Sequence, residues 1–317
     1  RVLQFASLGF DVAIEEMFMT FHAGATLVLR PSDLGTMESF MDVLDRERIT
    51  VADLPTSFWH ALVQSDAFNR GLSDTLRLVL IGGEAALSTV YAKWAQNNGR
   101  IILINLYGPA ETTISTSFFH CQSSSVSNGT AIPLGRPFPG VHTYVLDQHL
   151  APVPIGLPGE LYIGGHGVAR GYWNQPALTA DRFIPDPFSG EAGTRLYRTG
   201  DLCRYRTDGV IEFLGRVDRQ VKIRGHRIEP SEIETALRQH KAVAEAVLVI
   251  RDEPSGDKRL IAYVQQRPDT PTDSESLRRY LMQKLPSYMV PAHIVLMDRW
   301  PLSPNGKIDH RALPRPD

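Results

Sequence analysis

The sequence predicts an α/β protein in which a larger N-terminal domain precedes a small α+β domain. Two observations predict this: residues 1 to about 120 alternate apolar runs with helical patterns, and the pattern changes again near Asp218. Strands that alternate with helices favour a parallel sheet. The chain has 317 residues, 43% of them hydrophobic, which is enough for two cores. We therefore expect domains at residues 1–217 and 218–317.

Apolar runs and helical spacing locate the elements of the larger domain. The expected strands are residues 25–29, 49–51, 76–81 and 101–106, and the expected helices are residues 37–48 and 87–97. From about residue 130 to residue 217, the β-rich runs 142–146, 159–163 and 209–214 are separated by Pro and Gly. This pattern is typical of a distorted β-barrel or sheet, which we expect as a subdomain.

The small domain is predicted to begin at Asp218. Ser231 to Glu234 has the pattern of a capping box and predicts a helix start there. Strands are expected at residues 243–250 and 260–265, joined by a turn at 254–257. A further helix is expected from about Ser274 to Lys284.

The composition excludes several classes of function. A formal net charge of −2 gives no support to a nucleic-acid partner. The sequence contains neither a signal-peptide pattern nor a run of about 18 apolar residues, so no membrane partner is expected. Cys121 and Cys203 lack metal-binding spacing and suit a reducing, cytoplasmic location. Because the chain opens without Met in mid-domain sequence, we expect a fragment of a longer protein.

The generic catalytic signatures are missing from the sequence. It contains no G-x-x-x-x-G-K-S/T phosphate loop, no G-x-G-x-x-G fingerprint and no H-E-x-x-H or G-x-S-x-G motif. Several turns nevertheless carry polar or glycine residues that packing does not require, and the first of them directly follows a strand, where α/β proteins bind ligands. These turns are residues 105–111, 164–167, 197–201 and 304–307. Taken singly, each is more often an ordinary turn.

Taken together and in order, these segments resemble the adenylate-forming enzymes, in particular the adenylation domains of nonribosomal peptide synthetases. The stretches that carry the resemblance are Phe10–Phe18, Asn105–Glu111, Gly159–Tyr172, Tyr197–Asp201, Gly215–Gly225, Leu285–Pro291 and Pro304–Asp309. They extend over essentially the whole chain, and their shared order is more specific than any single motif.

The resemblance implies a two-step reaction that uses ATP and Mg²⁺. An amino-acid carboxylate attacks the α-phosphate of ATP, giving aminoacyl-AMP and pyrophosphate. The acyl group then passes to the phosphopantetheine thiol of a peptidyl carrier domain. The carrier domain and a condensation domain are expected on the same polypeptide, in secondary-metabolite synthesis. The small C-terminal domain is implied to be a mobile lid that rotates between the two steps.

The resemblance also implies roles for individual residues. Tyr107 stacks on adenine, Asp201 accepts hydrogen bonds from the ribose hydroxyls, and Glu111 helps to hold Mg²⁺. Lys307 bridges the substrate carboxylate and the phosphate, and Lys222 faces the site in the thioester-forming orientation. The remaining nucleotide-cleft and hinge residues are Gly82, Gly83, Glu84, Asn105, Gly108, Phe213, Arg216 and Asp218.

The substrate pocket follows from the same resemblance. Asp11 pairs with the α-ammonium of the substrate and Lys307 with its carboxylate. The side-chain pocket is lined by Val12, Glu15, Ser57, Leu80, Gly82, Leu106, Ile114 and Ser115. Because a carboxylate without a partner is costly to bury, Glu15 favours a cationic substrate: lysine, ornithine or a modified ornithine. The alternative is that Glu15 turns outward and pairs with an Arg or Lys of the protein.

The sequence departs from the family pattern in places, and two other functions stay open. Ala110 stands where Thr is usual, and Ala13 where Ser is common. The family's phosphate loop is absent, so we expect the fragment alone to be inactive. One alternative is an acyl- or aryl-CoA ligase, which would not need Asp11. The other is a non-catalytic scaffold, which would not need Glu111, Asp201 or Lys307.

Overall fold

The computed structural model describes residues 1–31, 34–122, 126, 131–218, 220–223, 226–252, 258–267, 270–301 and 312–316. It has the mixed α/β class that the sequence predicts. The chain divides into two units, Arg1–Asp218 and Arg219–Asp317.

The larger sheet of the first unit is mainly parallel. Its strands are β1 (Val2–Gln4), β2 (Leu27–Leu29), β3 (Val51–Pro55), β4 (Leu78–Gly82), β5 (Ile102–Tyr107), β6 (Ser117–His120) and β7 (Arg136–Pro137). They lie in the order β2-β1-β3-β4-β5-β6-β7. β1 to β5 pair in parallel, and β6 and β7 continue the sheet antiparallel. The carboxyl ends of the parallel strands therefore meet at one edge, where open α/β sheets bind ligands.

Helices alternate with these parallel strands. They are α1 (Val12–His22), α2 (Met37–Arg46), α3 (Thr56–Gln64) and α4 (Ser88–Asn98). The core that they form with the sheet contains the large side chains of Phe40, Trp59, Phe68 and Trp94. Successive strand residues point to opposite faces. Val79 and Ile81 therefore enter this core, whereas Leu80 between them lies on the other face.

A second, antiparallel sheet completes the first unit and contains the β-rich runs predicted before residue 217. Its strands are β8 (Val141–Leu146), β9 (Gly159–Gly165), β10 (Phe183–Pro185), β11 (Arg195–Tyr205) and β12 (Ile211–Arg216). They lie in the order β10-β11-β9-β8, with β12 on β11, and helix α5 (Pro176–Arg182) precedes β10. The pairing of β11 with β12 shifts between Leu202 and Cys203. A bulge of this kind re-aims the neighbouring side chains.

A small core links the two sheets of the first unit. Tyr107, the last residue of β5, packs there with Val145, Leu161 and Cys203 of the antiparallel sheet. The end of β5 is therefore fixed against β8, β9 and β11.

The second unit is an α+β fold. Its strands are β13 (Val221–Ile223), β14 (His226–Ile228), β15 (Val243–Asp252), β16 (Lys258–Gln266) and β17 (His293–Met297), and its helices are α6 (Pro230–Arg238) and α7 (Ser274–Lys284). β13 and β14 form an antiparallel pair. β15 pairs antiparallel with β16, which pairs in parallel with β17. Both helices contribute to one core, through Ile233, Leu237, Leu277 and Leu281.

Residues close to the C-terminus are held by the three-stranded sheet of this unit. Leu313 is buried against Ile261 and Tyr263 of β16. Arg251 Nη2 donates to the Leu313 carbonyl (2.9 Å), and Tyr263 Oη donates to the Pro314 carbonyl (2.5 Å). Leu313 and Pro314 are therefore anchored to β15 and β16.

Several local predictions need correction. The strand expected at residues 49–51 begins only at Val51, and the one expected at 25–29 begins at Leu27. The capping box at Ser231 is wrong: α6 begins at Pro230, and its N-cap residue Glu229 makes no side-chain capping bond. A proline at the first helical position already has the φ that a helix needs. The turn expected at 254–257 lies outside the described residues.

None of the described helices is long and apolar enough to span a bilayer.

Candidate functional site

The ends of β4 and β5 bring several nucleotide-cleft candidates to one edge of the sheet. Gly82 ends β4 and Tyr107 ends β5. The side chain of Asn105 is buried, and its Nδ2 donates to the Pro133 carbonyl (2.9 Å). Asn105 therefore fixes the chain that follows β6, a role that the sequence does not reveal.

The turn after β4 is tied to the start of α3. Thr56 Oγ1 lies within hydrogen-bonding distance of the carbonyls of Gly82 (3.0 Å) and Glu84 (3.3 Å). Between them, Gly83 has a φ of +90°, which glycine adopts without strain. These bonds hold Ser57, in the first turn of α3, beside the end of β4.

Tyr107 and Asp201 meet although they are far apart in the sequence. The Tyr107 hydroxyl donates to Asp201 Oδ2 in a short hydrogen bond, and both residues are buried. Burial, reinforced by the charge of Asp201, raises the pKa of Tyr107 well above its usual value. The phenol therefore stays protonated and donates to the carboxylate. The Tyr107 ring, expected to stack on adenine, packs into the small core between the sheets.

Arg216 connects Asp201 with Asp218. Arg216 Nη1 donates to Asp201 Oδ1 (2.6 Å), and its Nε and Nη2 donate to the two oxygens of Asp218 (2.7 and 2.8 Å). Gly200 has a φ of +76°, and a Cβ there would lie 2.5 Å from Asp218 Oδ2. Glycine is therefore needed beside this ion-paired group. Phe213 of β12 packs against the small core nearby.

Glu111 lies in the single helical turn Ala110–Thr112 that follows β5. The Tyr172 hydroxyl donates to Glu111 Oε1 (2.6 Å), and the Ala169 amide donates to the Glu111 carbonyl (2.8 Å). The described residues contain no group of three or more His, Cys, Asp or Glu that could hold a metal ion. Magnesium commonly binds one or two carboxylates together with substrate phosphates. A single carboxylate at Glu111 fits that kind of site.

The pocket candidates on α1 and on the loop after β5 meet through one hydrogen bond. Ser115 Oγ donates to Glu15 Oε2 (2.8 Å). Burial raises the pKa of Glu15, and the charge of Asp11, the N-cap residue of α1, adds to the effect. Among the residues that the structure describes, no Arg or Lys forms an ion pair with Glu15. Ile114, beside Ser115, has a φ of +68°, which is rare for a β-branched residue.

Two further carboxyl groups lie near Glu15, and neither was expected from the sequence. Asp53 of β3 pairs in register with Leu80, is 4% exposed, and has an Oδ2 without a partner in the described chain. Burial, with the charges of Glu15 and Glu16, raises its pKa well above the usual value. Glu16 is fully buried and accepts from the backbone amide of Phe5 (2.9 Å). Burial therefore favours the neutral form of Asp53, and any of these carboxyl groups that ionises would favour a cation over an anion beside it.

The two candidate lysines lie in the part of the chain after residue 218. Lys222 lies in β13, opposite Arg227 of β14. Lys307 lies outside the described residues. Their catalytic roles therefore stay predictions.

The comparisons with known proteins agree with the architecture. A family model described as AMP-binding enzyme matches residues 1–173, and one described as AMP-binding enzyme C-terminal domain matches residues 232–307. A linear gramicidin synthase polypeptide of Brevibacillus parabrevis is 52% identical over the whole chain, which spans 4% of that polypeptide. The phosphinothricin tripeptide synthetase PhsC of Streptomyces viridochromogenes is 46% identical, again over the whole chain, which spans 28% of its length.

Two solved structures are similar over essentially the whole chain. One is an NRPS protein containing adenylation and PCP domains, bound to a vinylsulfonamide inhibitor (30% identity, TM-score 0.84, covering 98% of this chain and 52% of that one). The other is a four-domain nonribosomal peptide synthetase bound to AMP and glycine (35% identity, TM-score 0.61, covering 100% of this chain and 23% of that one). These matches, with the family model over more than half of the sequence, show that the chain belongs to the AMP-binding enzyme family.

Proposed function

We propose that this chain is the adenylation part of a nonribosomal peptide synthetase. It activates an amino acid with ATP: a carboxylate oxygen of the amino acid attacks the α-phosphorus, and pyrophosphate leaves. The phosphopantetheine thiol of a carrier domain then attacks the acyl carbon, and AMP leaves. The similarity to a linear gramicidin synthase and to a structure with adenylation and PCP domains supports both steps.

The observation that carries the proposal is the meeting of Tyr107 with Asp201. One is the last residue of the parallel sheet's β5 and the other lies at the bulge in β11, yet they share a hydrogen bond. A carboxylate at that point can accept two hydroxyl donors, as the two ribose hydroxyls require. Arg216, held between Asp201 and Asp218, fixes the Asp201 carboxylate and is assigned a place near the ribose or phosphate.

Glu111 supplies the metal-binding carboxylate in this proposal. Mg²⁺ bound there with the phosphates would neutralise the charge that develops as pyrophosphate leaves. Tyr172 holds one oxygen of this carboxylate. Lys307 is assigned to the adenylating step and Lys222 to the thioester-forming step, as the family resemblance implies.

The substrate side chain is proposed to be cationic: lysine, ornithine or a modified ornithine. Glu15 accepts a hydrogen bond from Ser115 and lies near the buried carboxyls of Asp53 and Glu16. Ionising Glu15 in this partly buried place, close to other carboxyl groups, is unfavourable unless a cation accompanies it. An ammonium group at the end of the substrate side chain would provide that cation, while Asp11 binds the α-ammonium.

The partners follow from the two-step reaction. A peptidyl carrier domain accepts the acyl group, and a condensation domain uses it, both on the same polypeptide and in the cytoplasm. One of the similar solved structures contains both adenylation and PCP domains, and this supports a carrier domain as the partner.

Amino-acid-dependent ATP–pyrophosphate exchange tests the proposal. The full gene product would be assayed with the common amino acids, ornithine and several aryl acids, with Lys307→Ala as the inactive control. We expect exchange with lysine or ornithine. Exchange with apolar amino acids alone would retain the reaction and reject the cationic substrate, whereas exchange with aryl acids alone, or none, would reject amino-acid activation.

The Glu15→Gln variant tests the side-chain assignment separately. Breaking a buried ion pair costs about 3–5 kcal/mol. Because Glu15 is only partly buried, we expect a loss of about 2 kcal/mol, which lowers kcat/KM for the cationic substrate about thirtyfold. The ATP affinity should stay as in the wild type.

A further inference from the structure

The glycine-rich loop at residues 164–167 leads into a segment that lies against the turn carrying Glu111. Thr113 Oγ1 donates to the Gly167 carbonyl (2.7 Å), and the Ala169 amide donates to the Glu111 carbonyl (2.8 Å). A Cβ at Gly167 would lie 2.7 Å from the Thr112 carbonyl oxygen. The glycine therefore permits a close approach that a larger residue would prevent.

Tyr172, five residues further along, is fixed in place by the start of α5. Its backbone amide donates to Thr179 Oγ1 (2.9 Å). Gly171 has a φ of +139°, and a Cβ there would meet Thr179 Cγ2 at 2.3 Å. The Tyr172 ring packs edge-on against Phe183 at 5.4 Å between ring centroids. The backbone and the ring of Tyr172 are thus both held independently of the contacts that its hydroxyl makes.

The hydroxyl of Tyr172 points at a carboxylate. It donates to Glu111 Oε1 over 2.6 Å and lies 3.5 Å from the Tyr197 hydroxyl. A phenol hydroxyl has a proton to donate and an ionised carboxylate can only accept, so the geometry makes Tyr172 the donor and Glu111 the acceptor. Phenylalanine would fill the same space and keep the ring contact, so packing alone does not account for the hydroxyl.

We propose that Tyr172 is a positioning residue that orients the Glu111 carboxylate for the magnesium–nucleotide complex. The inference rests on the proposed function. A carboxylate at the end of a flexible side chain loses rotational freedom when it binds a metal. A hydrogen bond that already fixes one oxygen reduces that loss, and partners of metal ligands commonly change metal affinity by about 10- to 100-fold.

The test compares Tyr172→Phe with two other variants in the full gene product. Tyr205→Phe is the matched control, because the Tyr205 hydroxyl also donates to a partly buried carbonyl, that of Thr143 (2.7 Å), elsewhere in the same unit. Glu111→Gln removes the metal-binding carboxylate. Mn²⁺ affinity is measured by electron paramagnetic resonance with a non-hydrolysable ATP analogue, and thermal unfolding is recorded for each variant.

We expect the Mn²⁺ Kd to rise about tenfold in Tyr172→Phe, to rise at least as much in Glu111→Gln, and to stay unchanged in Tyr205→Phe. Wild-type Mn²⁺ affinity in Tyr172→Phe, an equal loss in Tyr205→Phe, or no loss in Glu111→Gln would each overturn the proposal. ATP–pyrophosphate exchange with the amino-acid panel tests the proposed function separately from the role of Tyr172. A wild type that binds Mn²⁺ and nucleotide but exchanges with no amino acid rejects the proposed function and leaves the role of Tyr172 standing.

Discussion

Replacing Gly108 by alanine is expected to disrupt the loop that follows β5. A Cβ at Gly108 would lie 2.0 Å from the Ile114 carbonyl oxygen and 2.8 Å from the Thr116 amide nitrogen. Contacts shorter than 3.0 Å are essentially never seen for a real Cβ, so the loop must move by at least about 1 Å. The obstructing atoms belong to the backbone and cannot rotate away.

The cost can be estimated from the bonds that this movement breaks. The Thr116 amide and hydroxyl both donate to the Tyr107 carbonyl, over 2.8 and 3.0 Å. Each hydrogen bond contributes about 1 kcal/mol, and overpacking adds about 1–3 kcal/mol. With both hydrogen bonds lost, we expect a local destabilisation of about 3–5 kcal/mol. Ser115 moves with the same loop, so its hydrogen bond to Glu15 should weaken too.

Hydrogen-exchange mass spectrometry on the full gene product measures this effect locally. A destabilisation of about 3–5 kcal/mol should speed exchange of the peptide that spans residues 102–120 by at least about a hundredfold. Gly99→Ala is the control, because its nearest contact is an ordinary 3.7 Å. Equal protection of that peptide in Gly108→Ala and the wild type would refute the reasoning.

Three further outcomes are expected. Burial raises the pKa of Glu15, so KM for a cationic substrate should fall as the pH rises through that pKa and Glu15 becomes charged. The Glu15→Gln variant should lose this pH dependence. A variant whose KM keeps the pH profile of the wild type would contradict this prediction. Asp201→Asn should raise KM for ATP at least about tenfold, since charged hydrogen bonds contribute about 1.5–3 kcal/mol; steady-state kinetics with varied ATP checks this. Burial raises the pKa of Cys121 to about 12 and that of Cys203 well above its usual value. Neither thiol should therefore react with Ellman's reagent at pH 8 until the protein is unfolded. Rapid labelling of the native protein would contradict this prediction by showing that one thiol is accessible.

The repeating patterns of the sequence predicted most of the regular elements, because burial of one face follows the period of the strand or helix. The helix predicted from Ser274 to Lys284 has those bounds in the structure. No helix is predicted at Val12–His22, however, although α1 forms there. Apolar residues lie all round that helix, with Phe18 and Phe21 exposed, so the usual amphipathic period is lost.

The sequence predicted the residues of the site that belong to local motifs, but not the contacts between those motifs. The segments around Tyr107, Glu111 and Asp201 were recognisable as motifs, but the hydrogen bond between Tyr107 and Asp201 depends on how two sheets pack. Tyr172 is the last residue of one of the stretches that carry the family resemblance. Nothing in the sequence, however, indicates that its hydroxyl bonds to Glu111, 61 positions away. Sequence patterns could not identify Asp53 either. A single polar residue in an apolar strand produces no repeating pattern, and its burial depends on the fold.

The small core between the two sheets of the first unit has a consequence for measuring ligand binding. Tyr107 of one sheet holds Asp201 of the other, so a nucleotide that binds Asp201, as the proposed function has it, would be bound only while the sheets remain packed. A ligand that binds only the folded state stabilises it by mass action, by about 2.7 kcal/mol at a hundredfold excess over Kd. The melting temperature of this unit would therefore report nucleotide occupancy. Ligands could be ranked by thermal shift alone, before any turnover is detected.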